Sequence, residues 1–395
     1  MFRLLPVLFL MAGLVCRAAD TVVILPLFNA SEAKAPNLDW IGESVAETIH
    51  ESLSSAGLLV LAREEREEGY RRLSLRPSVV LTKASVIKIG ETLDAGRVIF
   101  GEFKVEGSDA GAASLKSNMR LTIHMIDLKK LREGPVLEQA GPLETLSHME
   151  MELAWLLLKE LAPASAPVEG DFLRLHPAVR VDAMESYVRG LMAVTPEQKI
   201  KLFTQSARLD DRFSQPTFQL GRIFFVKKDY KTATTWLTKV TRADSHFMEA
   251  SFLLGLCHYY NGNFDGAIQQ FRMVAAEVPL NEVFNNLGAA LSRRNDPSAV
   301  DNFKKAIDGD AADPDYWFNL GYEFWKQSQF TQAAEAFRAV LDRASNDQEA
   351  TTMLGRSIKM DAPRAGDPKT EGRQRIKTTF EDSAFRQLKA ELQAK

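Results

Sequence analysis

Apolar and polar positions follow two rhythms along the chain, and the change falls near residue 162. Ahead of it, short apolar runs alternate with stretches of helical spacing. "TVVILPLFN" (21–29) is rich in β-branched residues and predicts a buried strand. Ile41, Val45, Ile49 and Leu53 recur at helical spacing and predict a helix over 41–56. "LLVLA" (58–62) predicts a second strand, and 81–93 a second helix. "RVIFGEFKVEG" and "MRLTIHMIDL" alternate as paired antiparallel strands, and 143–161 predicts a third helix. This order predicts an amino-terminal α/β sandwich over 20–162, with helices packed on a small mixed sheet. "APASAPVEGD" (162–171) has linker composition, and the linker is placed at 163–181.

From residue 182 the pattern repeats. Glycines at 190, 221, 255, 288, 321 and 355 follow a leucine or its equivalent, at intervals of 31, 34, 33, 33 and 34. Phe203, Leu237, Phe271, Phe303 and Phe337 follow the first five glycines by 13 to 16 positions. A small residue precedes four of them: Ala233, Ala267, Ala299 and Ala333. Each unit predicts two helices whose backbones approach closely. Thr195-Pro196-Glu197-Gln198 is a capping box with proline at N1, so the first unit's second helix starts early. Five units are expected over 182–347, with a further first helix at 348–360.

This pattern resembles the tetratricopeptide repeat family through Trp317, Leu320, Gly321, Phe324, Phe330, Ala333 and Phe337. The resemblance implies an all-α superhelix, making the whole chain α+β, with repeats over 182–360. A second linker is placed at 361–378. Residues 379–395 carry Phe380, Ala384, Phe385, Leu388 and Leu392 at helical spacing, which predicts an amphipathic helix that caps the last unit, with docking to another protein as the alternative. The halves, as fragments 20–165 and 178–395, are expected to fold separately.

One face of the first helices implies a partner. In the repeat family it lines the concave surface, and here it reads Phe218-Arg222-Phe225, Phe252-Leu256-Tyr259, Asn285-Ala289-Ser292 and Phe318-Tyr322-Trp325. Phe252 and Phe318 have burial between neighbouring helices as an equal alternative. Tyr322 and Trp325 suit recognition of an extended or helical protein segment, with Arg222 supplying a charge contact. Their joint replacement by alanine is expected to abolish capture at little cost in stability.

The front half is similar to the amino-terminal domain of TolB and the related FlgO and CsgG envelope proteins. The matching stretches are "VVILPLFN", "LDWIGESVAETIHESLSSAGLLVLAR" and "LTKASVIKIGETLDAGRVIFGEF". That resemblance implies a non-catalytic domain that contacts other proteins. Arg3 and the apolar run Leu4–Val15 predict a signal peptide (1–18), too short for a membrane span, which needs roughly 20 residues. Cys16 as a lipid anchor is disfavoured, because Gly13-Leu14-Val15 is a poor lipobox. Export to the periplasm or envelope leaves Cys257 alone, an expected buried thiol.

The formal net charge of −3 gives no electrostatic case for nucleic acid. Six histidines are scattered without an H-E-x-x-H pair, and neither a phosphate-binding glycine loop nor a G-x-S-x-G elbow occurs. Asp210-Asp211 is expected to be solvated. No catalytic residue, metal ligand or cofactor site is assigned. The chain is expected to be a non-enzymatic scaffold binding a protein or peptide segment in its groove. The alternative is a constitutive structural subunit of an envelope or secretion assembly.

Overall fold

The computed structural model describes residues 21–31, 38–76, 80–106, 116–242, 244–364, 366–367, 370–381 and 385. The signal-peptide expectation at 1–18, most of the turn at 107–115 and most of the carboxy-terminal helix at 379–395 lie outside the described residues.

The amino-terminal half forms a mixed sheet with helices on both faces. β3 (Arg97–Val105) and β4 (Asn118–Asp127) pair antiparallel at its centre. β1 (Val22–Ile24) and β2 (Phe28–Asn29) lie parallel to β3. β5 (Arg132–Glu133) and β6 (Leu137–Pro142) pair antiparallel with the far side of β4. "LLVLA" contributes only an isolated bridge, Val60 to Val22.

Strand alternation divides the core between the two faces. Val22, Ile24, Ile99 and Phe103 pack with α1 (Trp40–Ser55) and α4 (Leu146–Leu161). Val23, Leu25, Val98 and Ile126 pack with α2 (Arg63–Arg72) and α3 (Lys83–Thr92). α2 escapes sequence detection because "REEREEGYRR" has almost no apolar face. Buried Arg66 holds it down instead, donating to Ile24 O at 3.1 Å and pairing with Glu43.

After β1 the chain crosses the first turn of α1 so closely that a Cβ on Gly42 would lie 2.0 Å from Leu27 O. Gly42→Ala should therefore cost about 1–3 kcal/mol, because backbone must move to admit the methyl. A thermal melt should show a midpoint several degrees lower; an unchanged midpoint would mean the crossing yields freely.

The second half is a stack of helical hairpins: α6 (Val181–Met192) with α7 (Pro196–Leu209), and α8 (Gln215–Val226) with α9 (Tyr230–Leu237). Then come α10 (Phe247–Tyr260) with α11 (Phe264–Glu277), and α12 (Asn281–Arg293) with α13 (Ala299–Gly309). α14 (Pro314–Lys326) with α15 (Phe330–Arg343) completes the pairs, and α16 (Gln348–Ile358) packs on them. The repeated glycines are close-packing positions. A Cβ on Gly190, Gly255 or Gly288 would approach Phe203, Phe271 or Phe303 within 2.8 Å.

The boundary between the halves differs from the expected linker. Residues Glu169–Leu175 form α5, whose Phe172 is buried. One apolar core runs from the sheet through α1 and α4 into Tyr187, Val188 and Phe203 of the first hairpin. The halves thus share an interior, contrary to the picture of two cores joined by a tether. Separating them at 165/178 would strip cover from Met184, Tyr187 and Val188. Asp210 also departs from expectation: it is buried, and its carboxylate accepts the backbone N–H groups of Arg180 and Arg212 at 3.1 Å each.

Candidate functional site

The face expected to line a groove is occupied by the chain itself. Beyond α16 the chain turns back, and residues 370–381 cross the first helices, with no helix or turn over 373–381. Two asparagines at equivalent positions of successive hairpins, Asn286 and Asn319, each stand two residues before a repeat glycine. Asn319 donates to Arg375 O at 2.8 Å and accepts from Arg375 N at 2.7 Å. Asn286 treats Lys377 in the same way, at 2.7 and 2.9 Å. A side-chain amide sets an NH2 donor beside a C=O acceptor, the complement of an extended residue's C=O and N–H. Successive hairpins therefore hold residues two apart, the spacing at which extended side chains face one way. Asn285 reinforces the ladder, donating to Arg375 O at 2.9 Å and accepting from Asn319 at 2.7 Å.

Charge fixes the register. The Arg375 guanidinium reaches Asp347 at 2.7 and 3.0 Å and Asp315 at 3.1 Å, and it lies 3.7 Å from the centre of the Phe318 ring. Such bidentate, stacked geometry is specific to arginine. Lys377 Nζ is 2.7 Å from both Asp313 and Asp315. Its proton is held more tightly than usual by those carboxylates, against the effect of burial. Farther along, Glu381 N donates to Glu282 at 2.8 Å, and Phe380 packs on Phe252 with ring centres 5.2 Å apart.

Tyr322 and Trp325 are interior residues, 2% and 0% exposed, with rings 6.0 Å apart. The Tyr322 hydroxyl donates to Thr370 O and the Trp325 indole to Asp361 O, both at 2.7 Å. They anchor the return of the chain rather than standing open to a partner. Residues 361–378, expected as linker, supply this return and most of the strap.

The remaining groove residues divide along the array. Phe218 and Phe252 are fully buried, as is Phe318. Phe218 stacks on His246 with ring centres 4.3 Å apart. Arg222 is exposed, 3.7 Å from Glu249, and its side chain lies over the Phe218 ring. Phe225 and Tyr259 are half-buried; burial pushes the Tyr259 hydroxyl up to about 12. The strap thus covers the face from α16 back to Phe252 on α10, and the part at α8 lies beyond it.

A second constellation lies where α1 meets the repeats. His246 Nδ1 is 3.4 Å from Glu51 and 3.3 Å from Asp244, while Ser245 and Ser214 donate to these carboxylates. Burial alone would lower the imidazole pKa, but the flanking carboxylates raise it to about 10. Glu51, Asp244 and His246 lie close enough together to hold a metal ion, yet their acceptors are already directed at a charged imidazole and two hydroxyls. The arrangement is a buried ion-pair lock between the halves. Burial, with Glu51 and Glu43 nearby, lifts the Glu47 carboxyl to about 7. Cys257 is fully buried and its thiol is pushed up to about 12 by that burial, the state of an inert core residue.

The Tetratricopeptide repeat family model matches residues 218–282 and 288–349. The helical half is a tetratricopeptide repeat array. With the mixed-sheet domain before it, the repeat array gives the chain an α+β architecture. Among solved structures, MamA (41-end) from Desulfovibrio magneticus is 22% identical, covering 42% of this chain and 95% of that one at a TM-score of 0.38. YrrB, described as a tetratricopeptide repeat protein with an unusual peptide-binding site, is 17% identical over 40% and 92%, TM-score 0.33. The carboxy-terminal part of a Cytophaga hutchinsonii repeat protein is 16% identical over 52% and 86%, TM-score 0.38. A comparison with curated protein sequences finds no match. Among the described residues, no helix is long and apolar enough to cross a membrane.

Asn286 and the strap's Arg375 were not singled out in the sequence. The available signal was an asparagine two residues before the glycine in two consecutive repeats, where the others carry Val188, Gln219, Leu253 and Met353.

Proposed function

We propose that this tetratricopeptide repeat protein is a constitutive structural subunit of an exported assembly in the cell envelope. The supporting observation is the strap: the part of the groove with most recognition chemistry is filled by residues 370–381. A capture module would present those amides and carboxylates to a passing ligand; here a ligand must first displace a segment held by paired backbone hydrogen bonds and ion pairs. Constitutive neighbours instead meet outer faces and the exposed end of the groove at Arg222 and Phe225. The amino-terminal domain, similar in pattern to TolB, FlgO and CsgG envelope domains, supplies a second protein contact in this proposal.

The test is stoichiometry. Protein purified after gentle solubilisation of the envelope should carry its neighbours in fixed molar ratio through a salt wash, as measured by native mass spectrometry. Substoichiometric partners lost in the wash would support peptide capture instead.

A further inference from the structure

We propose that the strap is exchangeable: residues 373–381 of one copy seat in the groove of a second copy, reciprocally, to form a closed dimer. The proposal rests on the structural-subunit reading and names the neighbour as another copy of this chain.

Three features carry it. Tyr322 and Trp325 hold the returning chain at two points, Thr370 and Asp361, ahead of the clamp. Between that anchor and the asparagine clamp stands Gly372, at φ +69, in the left-handed region that glycine adopts without strain. A single such residue can redirect everything after it. Beyond the hinge, the clamp grips backbone groups and two cations, all presented identically by the strap of any copy. The connector from Thr370 to Arg375 is five residues, roughly 17 Å when extended, so exchange places the two grooves side by side.

The groove also requires an occupant. Asn285, Asn286 and Asn319 are fully buried with the strap in place, and their amides bind its backbone. Losing those partners inside a packed face carries a desolvation cost. Asp313, Asp315, Asp347 and Glu349 would face one another without a cation. The segment that answers both demands is Arg-x-Lys-x-x-Phe, at Arg375, Lys377 and Phe380. A second copy necessarily carries it. Exchange conserves the contacts and closes by two-fold symmetry, the low-cost route to a dimer.

A charge-swap pair tests this in the full chain. One variant carries Arg375→Glu with Lys377→Glu, the other Asp315→Lys with Glu349→Lys. Each alone has a mismatched strap and groove, whether the strap is folded onto its own groove or exchanged. Mixed, each variant's strap meets a groove of opposite charge, and sedimentation should show a new 1:1 heterodimer at twice the monomer mass. A mixture that stays monomeric, with both variants helical by circular dichroism, overturns the proposal. Binding of a synthetic Thr370–Glu381 peptide to the first variant without pairing of copies overturns it too, leaving a groove that reads a free segment. If either variant fails to fold, light and 15N-labelled wild-type protein are refolded together from denaturant. Mixed-mass dimers support exchange, and their absence overturns it. Fixed stoichiometry with other proteins can survive a failed exchange, so the two proposals are separable.

Discussion

Alanine at both Tyr322 and Trp325 should unfold the carboxy-terminal repeats at temperatures where the parent chain is fully folded. Both side chains are interior, and each ends a hydrogen bond on the returning backbone. Truncating one large buried aromatic costs about 3–5 kcal/mol. The two rings touch, so the losses do not simply add, but about 6 kcal/mol for the pair is expected. Chemical denaturation should show the early loss of a helical unit that includes α14 to α16. A double variant as stable as the parent would return these residues to an open recognition face. Tyr322→Phe removes the hydroxyl that donates to Thr370 O and should cost about 1 kcal/mol.

Raising pH from 5 to 9 should destabilise the amino-terminal half, and Glu150→Gln should remove much of that loss. Glu150 is fully buried on α4, accepts from Thr48 Oγ1 at 2.9 Å, and is driven by burial from the ordinary 4.5 up to about 8. Nearby hydroxyls of Ser44 and Thr48 offset only part of this rise. The folded state therefore keeps a proton that the unfolded chain releases above 4.5, and stability falls as pH climbs between those values. Glu47, lifted to about 7, acts in the same direction. His246 joins them: its ion pairs contribute fully below pH 6.5 and are lost as pH rises through about 10. Glu43, held low against burial by Arg66 and Arg63, works the opposite way and is lost only in acid. The Glu150 contribution to the loss between pH 5 and 9 is about 4 kcal/mol. Denaturation midpoints that are flat across this range, or a Glu150→Gln variant with the parent's slope, would contradict the assignment.

How much of this was legible beforehand depended on whether the signal was periodic. The hairpins were, because Gly190, Gly255 and Gly288 must face Phe203, Phe271 and Phe303, and that packing imposes a fixed interval. The groove face followed from the same period, which placed Asn285, Phe318 and Tyr322 together. What could not be read was that "GRQRIKTTF" fills it. An extended strap has no period of its own, and its charged residues make it look like linker. Its only trace was complementarity at a distance, Arg375 and Lys377 against Asp313, Asp315 and Asp347. α2 and α5 were missed for a related reason: one is held by the buried Arg66, the other by the single Phe172. His246 and Asp244 meet Glu51 from far along the sequence, with 194 positions separating Glu51 from its partner Ser245.

The strap has a further consequence during biosynthesis. Asn285 and Asn286 leave the ribosome about 90 residues before the backbone groups that will satisfy them. Domains generally fold as they emerge, but these repeats can form only a provisional array until the strap has been translated. A message cut short after α16 would yield hairpins with a polar, unfilled trough, and such a product differs from the finished protein where a chaperone or protease can sense it.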